Sequence, residues 1–434
     1  MGSTNERQGF VIKKPRKVNI GGNRKFRLVV GLSTAHGVKH FYQQALILLL
    51  PHIRDSLALS DVAVGGIVAV RAIAMGVMNV PAGAITDMFR RRVALMLAVS
   101  MACLSLGYFV LGIGNQYLII LVAVTITAAG TSLWHAPAFS SLASRYPDQK
   151  AFVFALHRSG GSVGDTVAPL VLGVLLGGIS FWGLAWGGLS WRAVALLHVG
   201  PSVLTAITIM VMFKSPESAP LGKITLGQYF VLVRPLLVNT KVISMVLLSG
   251  LRGMAHQSLL VFLVIYMKDP LHDGGLGYSD FTVGYHVALL TLLGILASPL
   301  MGFISDTIGR RPVIFVAMSV ATASILSFYW ADSGLPLTLV LGLLGVVIFA
   351  INPVMTAGAM DAIKGGTEGT TVAMLFTGGA IIGALSPLVA GLVFTNWYFQ
   401  GVVLYAGSIA GLGALLALVL PMGMRSQAGK ELLR

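Results

Sequence analysis

The chain has 434 residues, of which 56% are hydrophobic and only 10% charged, with a mean hydropathy of +0.85. A soluble domain carries about 25% charged residues, so the composition excludes a water-soluble globular protein and makes lipid the solvent for most of the chain. The single cysteine, Cys103, excludes a disulfide framework or thiolate metal cluster, and the net charge of +15 is distributed by membrane side, which reads as topogenic rather than as a nucleic-acid surface.

A bilayer crossing takes about 20 apolar residues. Apolar runs at 28–51, 62–86, 93–113, 117–140, 151–177, 191–213, 242–267, 281–304, 312–330, 336–360, 370–394 and 400–423 therefore predict an all-α integral membrane protein with twelve spans. Residues 1–27 form a basic tail, and the first apolar run is too long for a signal h-region, so it is expected to remain as span one. Residues 28–213 make a first unit of six spans, 214–241 a connector with Pro216, Pro220 and Pro235, 242–423 a second unit, and 424–434 a short tail. With the N-terminus cytoplasmic, 23 of the 30 Lys and Arg fall on that side and only Arg54, Arg192 and Lys268 on the other. That asymmetry predicts both termini in the cytoplasm.

The two units repeat. Gly83, Asp87, Arg91 and Arg92 after span two match Gly302, Asp306, Arg310 and Arg311 after span eight, at an offset of 219. Gly160, Gly161, Ala168, Pro169 and Gly173 in span five match Gly378, Gly379, Ser386, Pro387 and Gly391 in span eleven at 218, and His36 to His40 in span one match Arg252 to His256 in span seven at 216. Three matches at nearly one spacing describe a duplicated unit whose halves are related by an axis along the membrane normal.

The G-x-x-x-D-x-x-G-R-R pattern resembles the loop signature of the major facilitator superfamily; the second copy is complete, and the first has Arg90 in place of the glycine. The resemblance covers nearly the whole chain and implies two pseudo-symmetric six-helix bundles working by alternating access. Within that superfamily the chain is similar to fosmidomycin-resistance exporters, through His40 before Pro51, Trp134 to Pro137, and the block from Gly160 to Pro169, with Gln44 where that type often carries an acid. It implies a bacterial inner-membrane protein, and the glycine-proline pattern of span five implies antiport and export. Asp87, Arg91, Asp306 and Arg310 are the gating residues so implied, each acid placed to pair with an arginine and to face a helix N-terminus.

Ionisable groups inside a bilayer are costly and need a partner or a water-filled cavity. Of 15 acids only Asp165 lies deep in a span, against Lys39, Arg71, Arg158 and Arg252. This surplus points to a mobile anion as substrate. His36, Lys39, His40 and Gln43 share one face of span one, and Ser249, Arg252 and His256 share one face of span seven. The repeat sets these stripes opposite each other near the midplane. Candidate substrate residues are therefore His36, Lys39, His40, Gln43, Arg71, Arg252 and His256. In the resembling organophosphate antiporters, facing cations on these two helices bind substrate; Arg252 matches one, and Lys39 or His36 would stand for the other. Arg71 either contacts substrate or pairs with Asp165, and Arg158 either contacts substrate or binds carbonyls and headgroups. His135 either bonds a carbonyl freed by Pro137 or touches substrate, while His198 and His286 read as packing residues.

Asp165 is the candidate for proton coupling, with His157 and His40 as the next choices. No nucleotide-binding loop occurs, so a proton gradient rather than a cofactor is the expected energy source. The function expected is proton-coupled export of a small organic anion: a phosphonate, phosphate ester or carboxylate. The alternatives are uptake by symport or exchange for phosphate, transport of a metal or chelate through His36 and His40, and an intramembrane enzyme. The partners expected are the anion, protons and lipid, with no nucleic acid.

Overall fold

The computed structural model describes residues 23–146, 150–213, 226–363 and 368–422. The chain runs through α1 (Asn23–Ser56), α2 (Asp61–Met88), α3 (Val93–Ile113), α4 (Tyr117–Arg145) and α5 (Lys150–Gly177). A small hairpin follows, β1 (Ile179–Phe181) and β2 (Leu184–Trp186), then α6 (Trp191–Leu197) and α7 (Val199–Met212). Next are α8 (Leu226–Leu237), α9 (Thr240–Lys268), α10 (Asp280–Ile308) and α11 (Arg310–Ser327). The last are α12 (Gly334–Ile348), α13 (Ile351–Met360), α14 (Glu368–Gly383) and α15 (Ser386–Val419).

Among the described residues, ten helical segments are long and apolar enough to cross a membrane, fewer than the twelve spans expected. Two features account for the difference. α1 carries His36, Lys39, His40, Gln43 and Gln44 along its length, which dilutes its hydropathy. The segment Met374–Val419 counts once although it has 46 residues, about 70 Å of helix at 1.5 Å per residue, more than twice a ~30 Å hydrocarbon core. It is broken at Tyr398, whose φ of 53° and ψ of −154° lie outside helical space. The connector expected at 214–241 contains α8.

Helices α1–α7 pack mainly on one another, as do α9–α15. Glycine decides how closely. On α5, a Cβ at Gly160 or Gly164 would overlap the carbonyls of Ser33 and Gly37, so α1 and α5 meet backbone to backbone. This is the membrane mode of association, in which small residues replace hydrophobic driving force with close packing. The two sets meet through the same device used twice: Gly284 of α10 lies on the Pro169 carbonyl of α5, and Gly65 of α2 lies on that of Pro387 in α15.

α2 and α10 also begin alike. Ser60 accepts from the Ala63 amide at 3.2 Å and Ser279 from the Thr282 amide at 3.2 Å. Each cap is followed by an acid, Asp61 or Asp280, in the first turn, where the helix dipole favours it. Both acids lie at one face of the molecule, with the ends of α1 and α9; this is the Arg54 face, and the opposite one is the Arg310 face.

Candidate functional site

The polar face of α1 turns into a pocket made by α4 and α5. Its imidazoles fit there because Gly161 has no side chain: a Cβ at that position would stand 2.8 Å from His40 and 2.9 Å from His36. His36 Nδ1 donates to the His157 carbonyl at 2.8 Å, and its ring stacks on that of His157 with centroids 4.1 Å apart. Lys39 is 1% exposed, and its ammonium donates to His135 Nε2 at 2.8 Å. His135 therefore carries its proton on Nδ1, which is buried and unpartnered. His40 Nδ1 faces both Asp165 oxygens, at 3.1 and 3.0 Å. Four imidazoles, one ammonium and one carboxylate thus share one cluster.

Helix α9 carries two other candidate residues, beside the end of α12. Arg252 donates from Nη1 to the Ile348 carbonyl at 3.3 Å, while its Nε is buried without a partner. His256 packs edge-on against Phe349, centroids 4.9 Å apart, with Nε2 unpartnered. Phe376 of α14 reaches across to His135, centroids 6.4 Å apart, linking the halves with an aromatic surface. Buried polar atoms are nearly always hydrogen-bonded. Here Ser33, His36, Trp134, His135, both nitrogens of His157, Arg252, His256 and Thr377 all hold buried atoms with none. These unused donors and acceptors mark the candidate site.

The other candidates fall as follows. Arg71 does not pair with Asp165, which is engaged by His40; Arg71 and Gln43 line a separate small cavity within α1–α4. His157 is a stacking partner of His36 and makes no bond to Asp165. The Arg158 side chain is exposed. His198 bonds the Val194 carbonyl at 2.6 Å and stacks on Tyr108, and His286 bonds the Thr282 carbonyl at 2.7 Å and the Thr338 hydroxyl at 2.9 Å. Among the described residues, no group of three or more His, Cys, Asp or Glu is arranged to hold a metal ion.

At the Arg310 face, Arg310 is 8% exposed and reaches Asp306 at 2.5 Å, Asp361 at 2.9 Å and Ser305 Oγ at 2.6 Å. It therefore ties α10 to the end of α13, a contact to Asp361 that the loop pattern did not suggest. Arg91 is exposed in a short 3₁₀ turn, and the side chain of Asp87 lies outside the described residues.

Charge pairing between the two helix sets occurs at the Arg54 face. Arg54 forms an ion pair with Asp269 and stands 3.4 Å from Asp61, while His52 meets Asp280 at 2.7 Å, an acid also held by Lys268 at 2.8 Å. Tyr398 donates to Asp269 at 2.9 Å. Burial works against the Arg54 charge, but Asp269 and then Asp55 outweigh it, so the guanidinium titrates above its ordinary range. A deeper polar link between the sets joins Thr291 to Thr166, at 3.4 Å. Counting basic residues by side passed over this network. The signal was available as a further repeat, Ser60, Asp61, Val64 and Gly65 against Ser279, Asp280, Val283 and Gly284, again at an offset of 219.

Comparison with known proteins completes the description. The model of the Major Facilitator Superfamily matches residues 32–279 and 245–432. An MFS-type transporter of Gibberella moniliformis is 24% identical over 313 residues, 70% of this chain and 71% of that protein. Among solved structures, a bacterial homologue of the human lysosomal transporter Spinster, inward-facing and unoccupied, superposes with a TM-score of 0.77 at 16% identity, covering 92% of this chain and 98% of that one. The nucleoside transporter NupG gives 0.73 at 15% identity, covering 90% and 99%. The peptide transporter POT in complex with sulfate gives 0.70 at 13%, covering 92% and 96%.

Proposed function

The chain belongs to the Major Facilitator Superfamily and is a multi-pass membrane protein with a transport rather than an enzymatic function; from this premise we propose that it exports a small organic anion in exchange for protons. In this reading twelve crossings form two six-helix bundles, the Arg310 face is cytoplasmic with both termini, and the membrane is a bacterial inner membrane. The likeness of the sequence to fosmidomycin-resistance exporters supports the choice of an anion and the outward direction.

The observation that carries the proposal is the mismatch of charge and hydrogen bonding at the centre. Neither Lys39 nor Arg252 is bonded to a carboxylate, and both stand among buried polar atoms that lack partners. A carboxylate, phosphonate or phosphate ester supplies both the missing negative charge and the missing acceptors, and Arg252 offers the planar fork that such groups fit. Phe349 and Phe376 beside these cations suit the organic portion of the same molecule.

Asp165 and His40 form the coupling pair. A proton taken by the Asp165 carboxylate removes the charge that holds and orients His40, whose ring lies edge-on to His36, centroids 4.6 Å apart. Protonation and anion binding thereby act on the same imidazole cluster. The charge pairs of the Arg54 face close the outer side, and alternating access requires that they part while Asp306 and Arg310 help to close the inner side. Counterflow of labelled anions in proteoliposomes tests the proposal: an organic anion should exchange and drive protons the other way. Exchange of neutral or cationic solutes alone would refute it.

A further inference from the structure

A second polar site lies inside the first helix set, apart from the central cluster. Arg71 of α2 is 9% exposed and makes no hydrogen bond, ion pair or ring contact with any described residue. It lines a small cavity with Tyr42, Gln43, Tyr108, Thr127 and Thr131, with room for about one water-sized occupant. Every lining residue comes from α1, α2, α3 or α4. The second helix set contributes none, so rocking of one set against the other neither opens this cavity nor carries its contents across.

Charge decides what belongs there. A buried ion is costly unless paired and hydrogen-bonded, and the one deep acid of this helix set, Asp165, is hydrogen-bonded to His40 and acts on Arg71 only at a distance. The cavity's other polar groups are mostly committed: Tyr108 donates to the Tyr42 carbonyl, Tyr42 to that of His198, and Thr127 to Val124 at 2.9 Å. Two remain. The Gln43 amide has a buried oxygen without a partner, and the Thr131 hydroxyl makes no hydrogen bond with any described residue. The amide of Gln43 can be turned end for end without changing its shape, after which it offers N–H groups. Arg71, Thr131 and Gln43 then present donors from three helices to one small volume.

We propose that this cavity is a monovalent-anion site of halide size, held by Arg71, which neutralises the guanidinium and clamps α1, α2 and α4 without being transported. A water would satisfy hydrogen bonds but leave the guanidinium with no anion in contact. A phosphate or an organic anion is too large for it. The site therefore differs in both location and ligand size from the transport site.

Chloride and bromide on the purified full-length protein provide the test, with gluconate of equal ionic strength as the reference. Thermal unfolding of the wild type should rise saturably with chloride, and radiolabelled chloride should bind at about one site per chain. Arg71→Gln should lose both responses and, with no charge left to neutralise, should be at least as stable as the wild type in gluconate. Thr131→Val keeps shape and fold, and it should weaken halide affinity roughly tenfold, the loss of one hydrogen bond to an ion. Arg252→Ala should keep the halide response, which separates this cavity from the central site. An equal chloride effect in Arg71→Gln and wild type, loss of the response in Arg252→Ala, or no saturable chloride binding would each overturn the proposal and leave the cavity to water.

Discussion

Arg54, at the end of α1, forms an ion pair with Asp269, just beyond the end of α9, so the last turns of two repeat-related helices are pinned across the interface between the helix sets. The side chains are only 15% and 7% exposed, and removing one partner of a buried pair costs about 3–5 kcal/mol. Asp269→Asn should therefore shift the protein toward opening at this face. Distance measurements between spin labels on the hairpin and on the α11–α12 turn should show a longer population. Recovery of the closed distance in the exchange variant Arg54→Asp with Asp269→Arg would confirm that the pair itself acts. An unchanged distance in Asp269→Asn would remove it from the gate.

The glycine contacts give a steric counterpart. A side chain at Gly284 or Gly65 would collide with the carbonyl of Pro169 or Pro387. Gly284→Val should wedge the Arg54 face apart, raising reaction of a cysteine placed on α10 with a membrane-impermeant reagent. Gly31→Ala serves as the control, since a Cβ there meets nothing within 4 Å. It should raise stability by about 0.5–1 kcal/mol, the ordinary helical preference for alanine. Equal labelling in the two variants would show that the glycine contacts do not set the closure.

At the opposite face the two acids around Arg310 should differ in weight. Asp306 is 59% exposed and Asp361 21%. An exposed pair contributes about 0.2–1 kcal/mol, whereas Asp361 anchors a guanidinium that is itself buried. Unfolding measurements should find Asp361→Ala costing at least about 1 kcal/mol more than Asp306→Ala. The reverse order would restore Asp306 as the principal partner.

Much of this architecture was legible in the sequence, and the limits have physical causes. Periodicity placed His36, Lys39, His40 and Gln43 on one face because helical geometry is local. It did not show that the face points into α4 and α5, because that depends on Gly160, Gly161 and Gly164 letting α1 approach. The bond from Lys39 to His135 joins residues 96 positions apart, and nothing local signals it. The charge network at the Arg54 face was missed because orientation rests on basic residues alone, while its specificity lies in Asp61, Asp269 and Asp280. The hairpin from Ile179 to Trp186 escaped notice because strands of three residues carry no periodicity.

In the proposed mechanism, coupling rests on Asp165 and His40. Asp165→Asn keeps the shape of the side chain but cannot take up a proton, and should abolish accumulation driven by a pH gradient while leaving equilibrium exchange of the anion intact. His40→Gln should weaken both, since His40 belongs to the coupling pair and to the binding cluster. Gradient-driven accumulation by Asp165→Asn would transfer the proton to a histidine.

The central claim is that an anion binds between Lys39 and Arg252, and its most direct measurement is ligand-dependent stability of the purified protein against a panel of carboxylates, phosphonates and phosphate esters. Arg252→Lys keeps the charge but loses the planar fork, and Lys39→Ala loses the charge. The expected result is that at least one organic anion stabilises the wild type saturably and stabilises neither variant, each variant remaining monodisperse. Full-rate transport of a neutral or cationic solute by well-folded Arg252→Ala and Lys39→Ala proteins would contradict it.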